Sequence, residues 1–129
     1  MNRYQNGKIY KLVNDVDDQI YVGSTCLLLP KRLYAHKLRA QSHPNTHVSR
    51  QLNSIGWNNV HIVLLESYPC NSKIELYQRE RYHYDLIKPS LNLRKPFVSD
   101  EEYKVIQKIY RTDHQQDSDH TVRNTSTTN

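Results

Sequence analysis

The sequence predicts an α+β fold in which a small antiparallel sheet is flanked by helices. Three observations carry that expectation. Lys8–Asn14 (KIYKLVN) and residues 19–24 (QIYVGS) are short, rich in Ile, Val and Tyr, and separated by DVDD, which is the pattern of a β-hairpin. Residues 60–66 (VHIVLLE) form a third run that is apolar on both alternating sets. Helix signals fill most of the remainder, so the order reads β, β, α, α, β, α, α.

Taken in chain order, the hairpin comes first, and its acidic turn belongs in solvent. Asp15, Asp17 and Asp18 do not make a calcium loop, because the loop glycine and the distal bidentate Glu of such a site are missing. Pro30 suits the first turn of a helix that runs to about Gln41, with Leu33, Tyr34, Leu38 and Ala40 on its apolar side. On that helix Arg32, His36 and Arg39 fall within one narrow stripe. A second short helix carrying Val48, Leu52 and Ile55 stops at Gly56.

The run over 60–66 predicts a strand covered on both faces, at or beside the middle of the sheet. Ser72 and Glu75 then form a capping box for a helix that lasts until about Ile87, where Lys88-Pro89 stops it. A second capping box, Ser99 with Glu102, has Val98 and Tyr103 spaced as a hydrophobic staple and opens an amphipathic helix reaching about Arg111. The last residues lack core formers. The expected organisation is therefore a core domain over 1–96, a helix over 97–111 and a disordered polar tail over 112–129.

A chain of 129 residues suffices for one core that buries roughly two-thirds of its unfolded surface without disulfides or a structural metal. Net charge is +5, and residues 112–129 hold three aspartates against one arginine, which leaves +7 on residues 1–111. A basic globular part favours a polyanion such as nucleic acid as partner. Cys26 and Cys70 lie far apart with no CxxC spacing, so neither a disulfide framework nor a zinc knuckle is expected. The start MNRYQNGK has no apolar signal region, and no apolar run approaches the ~20 residues of a membrane span. An intracellular, non-secreted, non-membrane protein is the expectation.

Several residues ask for chemistry. On the helix that begins after Ser72, Leu76, Tyr77, Tyr84 and Ile87 share a face with Glu80 in its middle. A charge buried there without partners costs several kcal/mol. Glu80 must therefore meet a cation, a hydrogen-bond network or a metal, or lie in a cleft; an ion pair with Arg32 or Arg79 is the plain alternative. Arg32 and His36, at i and i+4, can address one small volume. Guanidinium and imidazole together suit a phosphate. Tyr10 and Tyr21 stand on opposite arms of the hairpin, and the loop register decides whether they share a face. Gly23, inside a strand, marks a bulge or a close backbone approach.

In order, the chain thus holds KIY, then YVG eleven residues on, ST, an RxxxH helix, a helical Glu and an Asn twelve residues after it. This set resembles the catalytic domain of GIY-YIG nucleases over about Lys8 to Asn92. The resemblance implies a three-stranded antiparallel sheet with flanking helices and metal-dependent hydrolysis of DNA phosphodiesters. It assigns catalytic roles to Tyr10, Tyr21, Arg32, His36 and Glu80, with Glu80 holding Mg²⁺ (or Mn²⁺). Gly23, Lys31, Arg39 and Asn92 are assigned to substrate binding, Asn92 also orienting its neighbours. Lys8 stands where the family has its first glycine, and Val22 replaces the isoleucine of the second motif; neither change removes a catalytic group.

Two other readings compete. A catalytically inactive nucleic-acid-binding module on the same scaffold is opposed by the complete polar set, from which a degenerate copy would have lost a member. A histidine and cysteine metal protein is opposed by scattered ligands, since only His43 and His47 lie close. One active site suggests one nick per monomer, and the residues leave open whether the chain acts as a monomer or a transient dimer.

Overall fold

The computed structural model describes residues 2–92 and 96–109. The chain divides into two compact units, 1–97 and 98–129. In the first, strands β1 (Lys8–Asn14), β2 (Tyr21–Thr25) and β3 (Val60–Ser67) form an antiparallel sheet in the order β2-β1-β3. Helices α1 (Leu29–Ser42) and α2 (His47–Ile55) link β2 to β3, and α3 (Lys73–Ile87) follows. The α+β class and the three-stranded antiparallel sheet are thus as the sequence predicts.

Local chemistry explains the boundaries. The Asn14 side chain accepts from the amides of Val16 and Asp17 at 2.8 and 2.7 Å, an Asx turn that closes the hairpin with its aspartates in solvent. Pro stands in the first turn of α1, where a missing N–H costs nothing. Gly56 ends α2 at a φ of 96°, a conformation open to glycine. At α3 the Ser72 hydroxyl accepts from the Glu75 amide at 3.2 Å, while the Glu75 carboxylate reaches back to the Asn71 amide at 3.0 Å.

Strand alternation divides the core in two. Tyr10 and Leu12 pack with Leu52, Val60 and Leu91 on the face covered by α1 and α2. Ile9 and Val22 pack with Leu76 and Cys70 on the face covered by α3. Side chains one position apart on β1 and β2 therefore serve opposite layers.

Two expectations need correction. β3 is an edge strand, and the middle strand is β1, whose Ile9, Tyr10 and Leu12 are buried although Lys8 and Lys11 interrupt them. Val63 and Leu64 of β3 remain 39% and 47% exposed. Pairing decides the order: β1 bonds to its hairpin partner on one side and to β3 on the other. An apolar run marks a strand without marking its place in the sheet. On α1, Tyr34 and Leu38 face outward at 61% and 45% exposure, while Ala40 is buried and Leu33, Arg32 and His36 turn toward the interior. Two polar residues hold inward positions that hydrophobic patterning reserves for apolar ones.

The second unit contains a helix over residues 100–109. Its capping box is reciprocal: the Ser99 hydroxyl accepts from the Glu102 amide, and the Glu102 carboxylate from the Ser99 amide, both at 3.1 Å. Val98 and Tyr103 are both exposed. The predicted end near Arg111 and the polar tail over 112–129 lie outside the described residues. No helix among the described residues is long and apolar enough to cross a membrane.

Candidate active site

The hairpin register brings the phenols together. Leu12 pairs with Tyr21 and Tyr10 with Gly23, so Tyr10, Tyr21 and Gly23 share the face that looks at α1. Tyr10 lies across Gly23: a Cβ there would stand 2.5 Å from the phenol oxygen and 2.6 Å from Cζ. The strand glycine thus admits a ring. Gly23→Ala is expected to cost about 1–3 kcal/mol of stability, the usual penalty of overpacking, because the added methyl meets the fully buried Tyr10 ring. Thermal denaturation checks this; wild-type stability would refute the close approach.

Tyr10 is fully buried, 0% exposed, and its hydroxyl joins two α1 side chains. Arg32 Nε donates to Tyr10 Oη at 3.0 Å, and Oη lies 2.7 Å from His36 Nε2. Guanidinium only donates. The phenolic proton, with no other acceptor among the described residues, therefore goes to His36 Nε2, which requires a neutral imidazole. Burial, aided by the Arg32 and Arg39 charges, pushes the His36 pKa down to about 3, so the ring is neutral at pH 7. Burial, reinforced by Tyr21, holds the Tyr10 phenol well above its ordinary value despite Arg32. The Tyr21 ring meets the edge of His36 at 5.3 Å between centroids.

Glu80 lies on the opposite face of the sheet, on α3, at 8% exposure. It accepts a short hydrogen bond from the hydroxyl of Ser24, which alternation turns toward α3. The plain alternative, an ion pair with Arg32 or Arg79, is not formed: Arg79 is bound to Glu66 at 2.6 Å, Arg32 is bound to Tyr10, and Glu80 has no ion pair among the described residues. Burial pushes the Glu80 pKa up to about 7, against the opposing pull of Ser24 and Arg32.

The two faces meet at the outer edge of β2. A cleft of about 260 Å³ opens there, walled by Tyr21, Gly23, Ser24, Arg32, Tyr77 and Glu80 together with Asn92 and Pro96. Part of the edge is sealed. Leu91 N–H bonds to Ile20 O at 3.0 Å, and the Asn92 amide both accepts from Val22 N–H and donates to Val22 O, each at 2.8 Å. Asn92 thus imitates a fourth strand. Outward-facing backbone groups alternate along a strand, so Ser24 is the next position on β2 whose amide faces the cleft rather than β1.

Arg32, Tyr21, Gly23 and Glu80 of the expected residues share the cleft, with Asn92 at its border. Tyr10 and His36 stand behind Arg32. Arg39 rims a separate hollow between α1 and α2, whose wall also includes Tyr21, Arg32 and His36. Lys31 is exposed on α1 and lines neither hollow. Ser24 and Tyr77, noted in the sequence only within the ST pair and on the Glu80 face, were not expected to line the site. Ser24 had one available signal, its position directly after the strand glycine.

No three His, Cys, Asp or Glu side chains cluster to hold a metal among the described residues. A single desolvated carboxylate with a hydroxyl beside it still suits Mg²⁺, which keeps several waters and commonly binds one or two carboxylates plus substrate phosphate.

The family model of the GIY-YIG catalytic domain matches residues 6–94. A 74-residue stretch is 30% identical to Uncharacterized protein 019R of Invertebrate iridescent virus 6, and the match covers 57% of this chain and 26% of that protein. The chain therefore spans about a quarter of the length of the relative it matches. No solved structure matches. A catalytic domain of this kind implies nuclease-type activity.

Proposed function

Because the chain belongs to the GIY-YIG family, we propose that it is a DNA endonuclease that hydrolyses phosphodiester bonds with a divalent cation, Mg²⁺ or Mn²⁺. One observation carries the reading: Glu80 is a buried carboxylate without an ion-pair partner among the described residues, in the same cleft as Arg32. A structural acid at this depth would be paired. An acid and a guanidinium that line one small cleft suit a phosphate, and Glu80 would be the residue to hold a cation there.

Each side chain then has a part. Glu80 would hold the cation, and the Ser24 hydroxyl orients its carboxylate. A bound divalent cation supplies charge neutralisation at the phosphoryl oxygens and acidifies water at the site. Arg32 gives its Nε to Tyr10 and lines the cleft, where its charge stabilises the negative charge that grows on the phosphoryl oxygens. Tyr21 also lines the cleft, and burial with the nearby Glu80 raises its pKa, so it acts as a hydrogen-bond donor rather than a base. Tyr10 and His36 are positioning residues that fix the guanidinium from behind. Asn92 holds the β2 edge at Val22, and Arg39 with the exposed Lys31 adds positive charge along α1 for the DNA backbone.

Supercoiled plasmid is the direct test. Incubation with the protein and Mg²⁺ should convert it to nicked circles, and excess EDTA should stop the conversion. Equal conversion in EDTA would refute the cation requirement. No conversion under any divalent cation, with plasmid still bound, would favour a binding module on the same scaffold.

A further inference from the structure

The hollow between α1 and α2 has a volume of about 240 Å³ and shares a wall with the proposed active site, since Tyr21, Arg32 and His36 line it. Its floor is mostly apolar or small: Leu52 and Ala40 are buried, and Val48 stands at its side. Trp57 closes the far side, its indole N–H fixed to the Asn53 side chain at 2.8 Å. The polar groups are a few neutral hydroxyls, among them buried Ser49, and the charged groups are Arg32 and Arg39. No carboxylate among the described residues lines it.

Those features select an occupant. Two guanidiniums at one side and a mostly apolar floor closed by an indole match a ligand that is anionic at one end and flat and aromatic at the other. The volume is smaller than that of a site for a drug-sized ligand and suits one nucleobase. Tyr21 and Arg32 line both the pocket and the cleft, so a phosphate at Arg32 and a base in the pocket can belong to one strand. We propose that this pocket receives the unstacked base of a nucleotide neighbouring the scissile phosphate, and that the enzyme favours positions where that base is unpaired or easily unpaired. The inference rests on the nuclease reading and adds the substrate class. An enzyme that seats a base outside the helix must unstack it, which is least costly at mismatches, branches and single strands.

Trp57 is the only tryptophan of the chain, so its fluorescence reports on this pocket alone. The experiment titrates the full chain, in EDTA to prevent cleavage, with a fluorescein-free eight-nucleotide DNA strand and with the same strand made entirely of abasic sites. Affinity comes from competition against a labelled strand. The normal strand should quench Trp57 emission saturably. The abasic strand, which keeps the phosphates, should leave emission unchanged and bind about tenfold more weakly, as expected when one stacked base is lost. Val48→Phe, which fills the pocket, should reduce the normal strand's affinity to that of the abasic strand.

If the normal strand binds without altering Trp57 emission, or both strands bind equally, the proposal is overturned. Absence of binding by either strand overturns it too. Should Val48→Phe fail to fold, the comparison of the two strands on the unaltered chain still decides. Plasmid cleavage in Mg²⁺ separates the two readings: cleavage with a silent Trp57 removes the base pocket and leaves the nuclease, while quenching without cleavage keeps the pocket and removes the nuclease.

Discussion

Glu80→Gln is expected to lower Mg²⁺-dependent cleavage by about 10³-fold or more, the several kcal/mol that a catalytic cation contributes, while DNA binding is retained or strengthened. Glutamine keeps the volume and an oxygen for the Ser24 hydroxyl, and it removes the charge that a cation needs. Binding survives because the substitution takes an anion away from a site that meets phosphate. Cleavage rates and equilibrium binding, measured on the same preparation, check both halves. Full Mg²⁺-dependent activity in the variant would falsify the role as metal ligand.

The same substitution has a signature in stability. The Glu80 pKa stands at about 7 in the folded chain against an ordinary 4.5, so the native state holds its proton more tightly than the unfolded chain does. Its contribution is therefore fully present below pH 4.5 and is lost as pH rises through about 7. Above that window the ionised acid costs the wild type roughly 3 kcal/mol, at about 1.4 kcal/mol per pH unit between the two midpoints. His36 acts oppositely, with stability present above pH 6.5 and lost as pH falls toward about 3, and it is common to both proteins. In EDTA the glutamine variant should thus gain on the wild type as pH rises from 5 to 8, and Mg²⁺ should narrow the gap. Denaturation across that range measures it; a constant difference would place Glu80 in contact with solvent or a cation already.

Tyr10→Phe is the second large effect, about 10²-fold in turnover with little change in KM. It removes one oxygen and almost no volume, yet that oxygen joins Arg32 Nε to His36 Nε2. Both partners would lose a hydrogen bond in a partly buried site, at a cost of about 1–3 kcal/mol, and the guanidinium would lose the group that aims it. A tyrosine that only filled the core would lose stability without the turnover change. Steady-state kinetics beside a melting curve therefore distinguishes the two, and a variant with wild-type turnover would mark the phenol as packing.

Much of the fold was legible because it is local. Asn14 closing the hairpin, Pro in the first turn of α1, Gly56 after α2 and Ser72 with Ser99 before their helices each act within a few residues of themselves. The inward side of α1 was misread because two polar residues occupy it. Hydrophobic periodicity places Tyr34 and Leu38 inside, but the helix turns Arg32 and His36 inward, where Tyr10 satisfies both. Sequence rules of this kind fail where function holds polar groups in the interior. Ser24 was missed because its partner is 56 positions away on another element.

By itself the sequence determined the kinds of element, their caps and the set of polar residues that does not belong in a plain core. All of these depend on side-chain chemistry and short-range periodicity. Only the tertiary structure decided that Tyr10 and Tyr21 share a face, that β1 rather than β3 is central, and that Arg32 and Glu80 meet around the β2 edge. Register and strand order are set by which distant segments pair, and a shift of one residue would send Tyr10 to the other layer. Asn92 shows the same division: its side chain is an ordinary amide until the chain returns to lay it along the backbone of Val22.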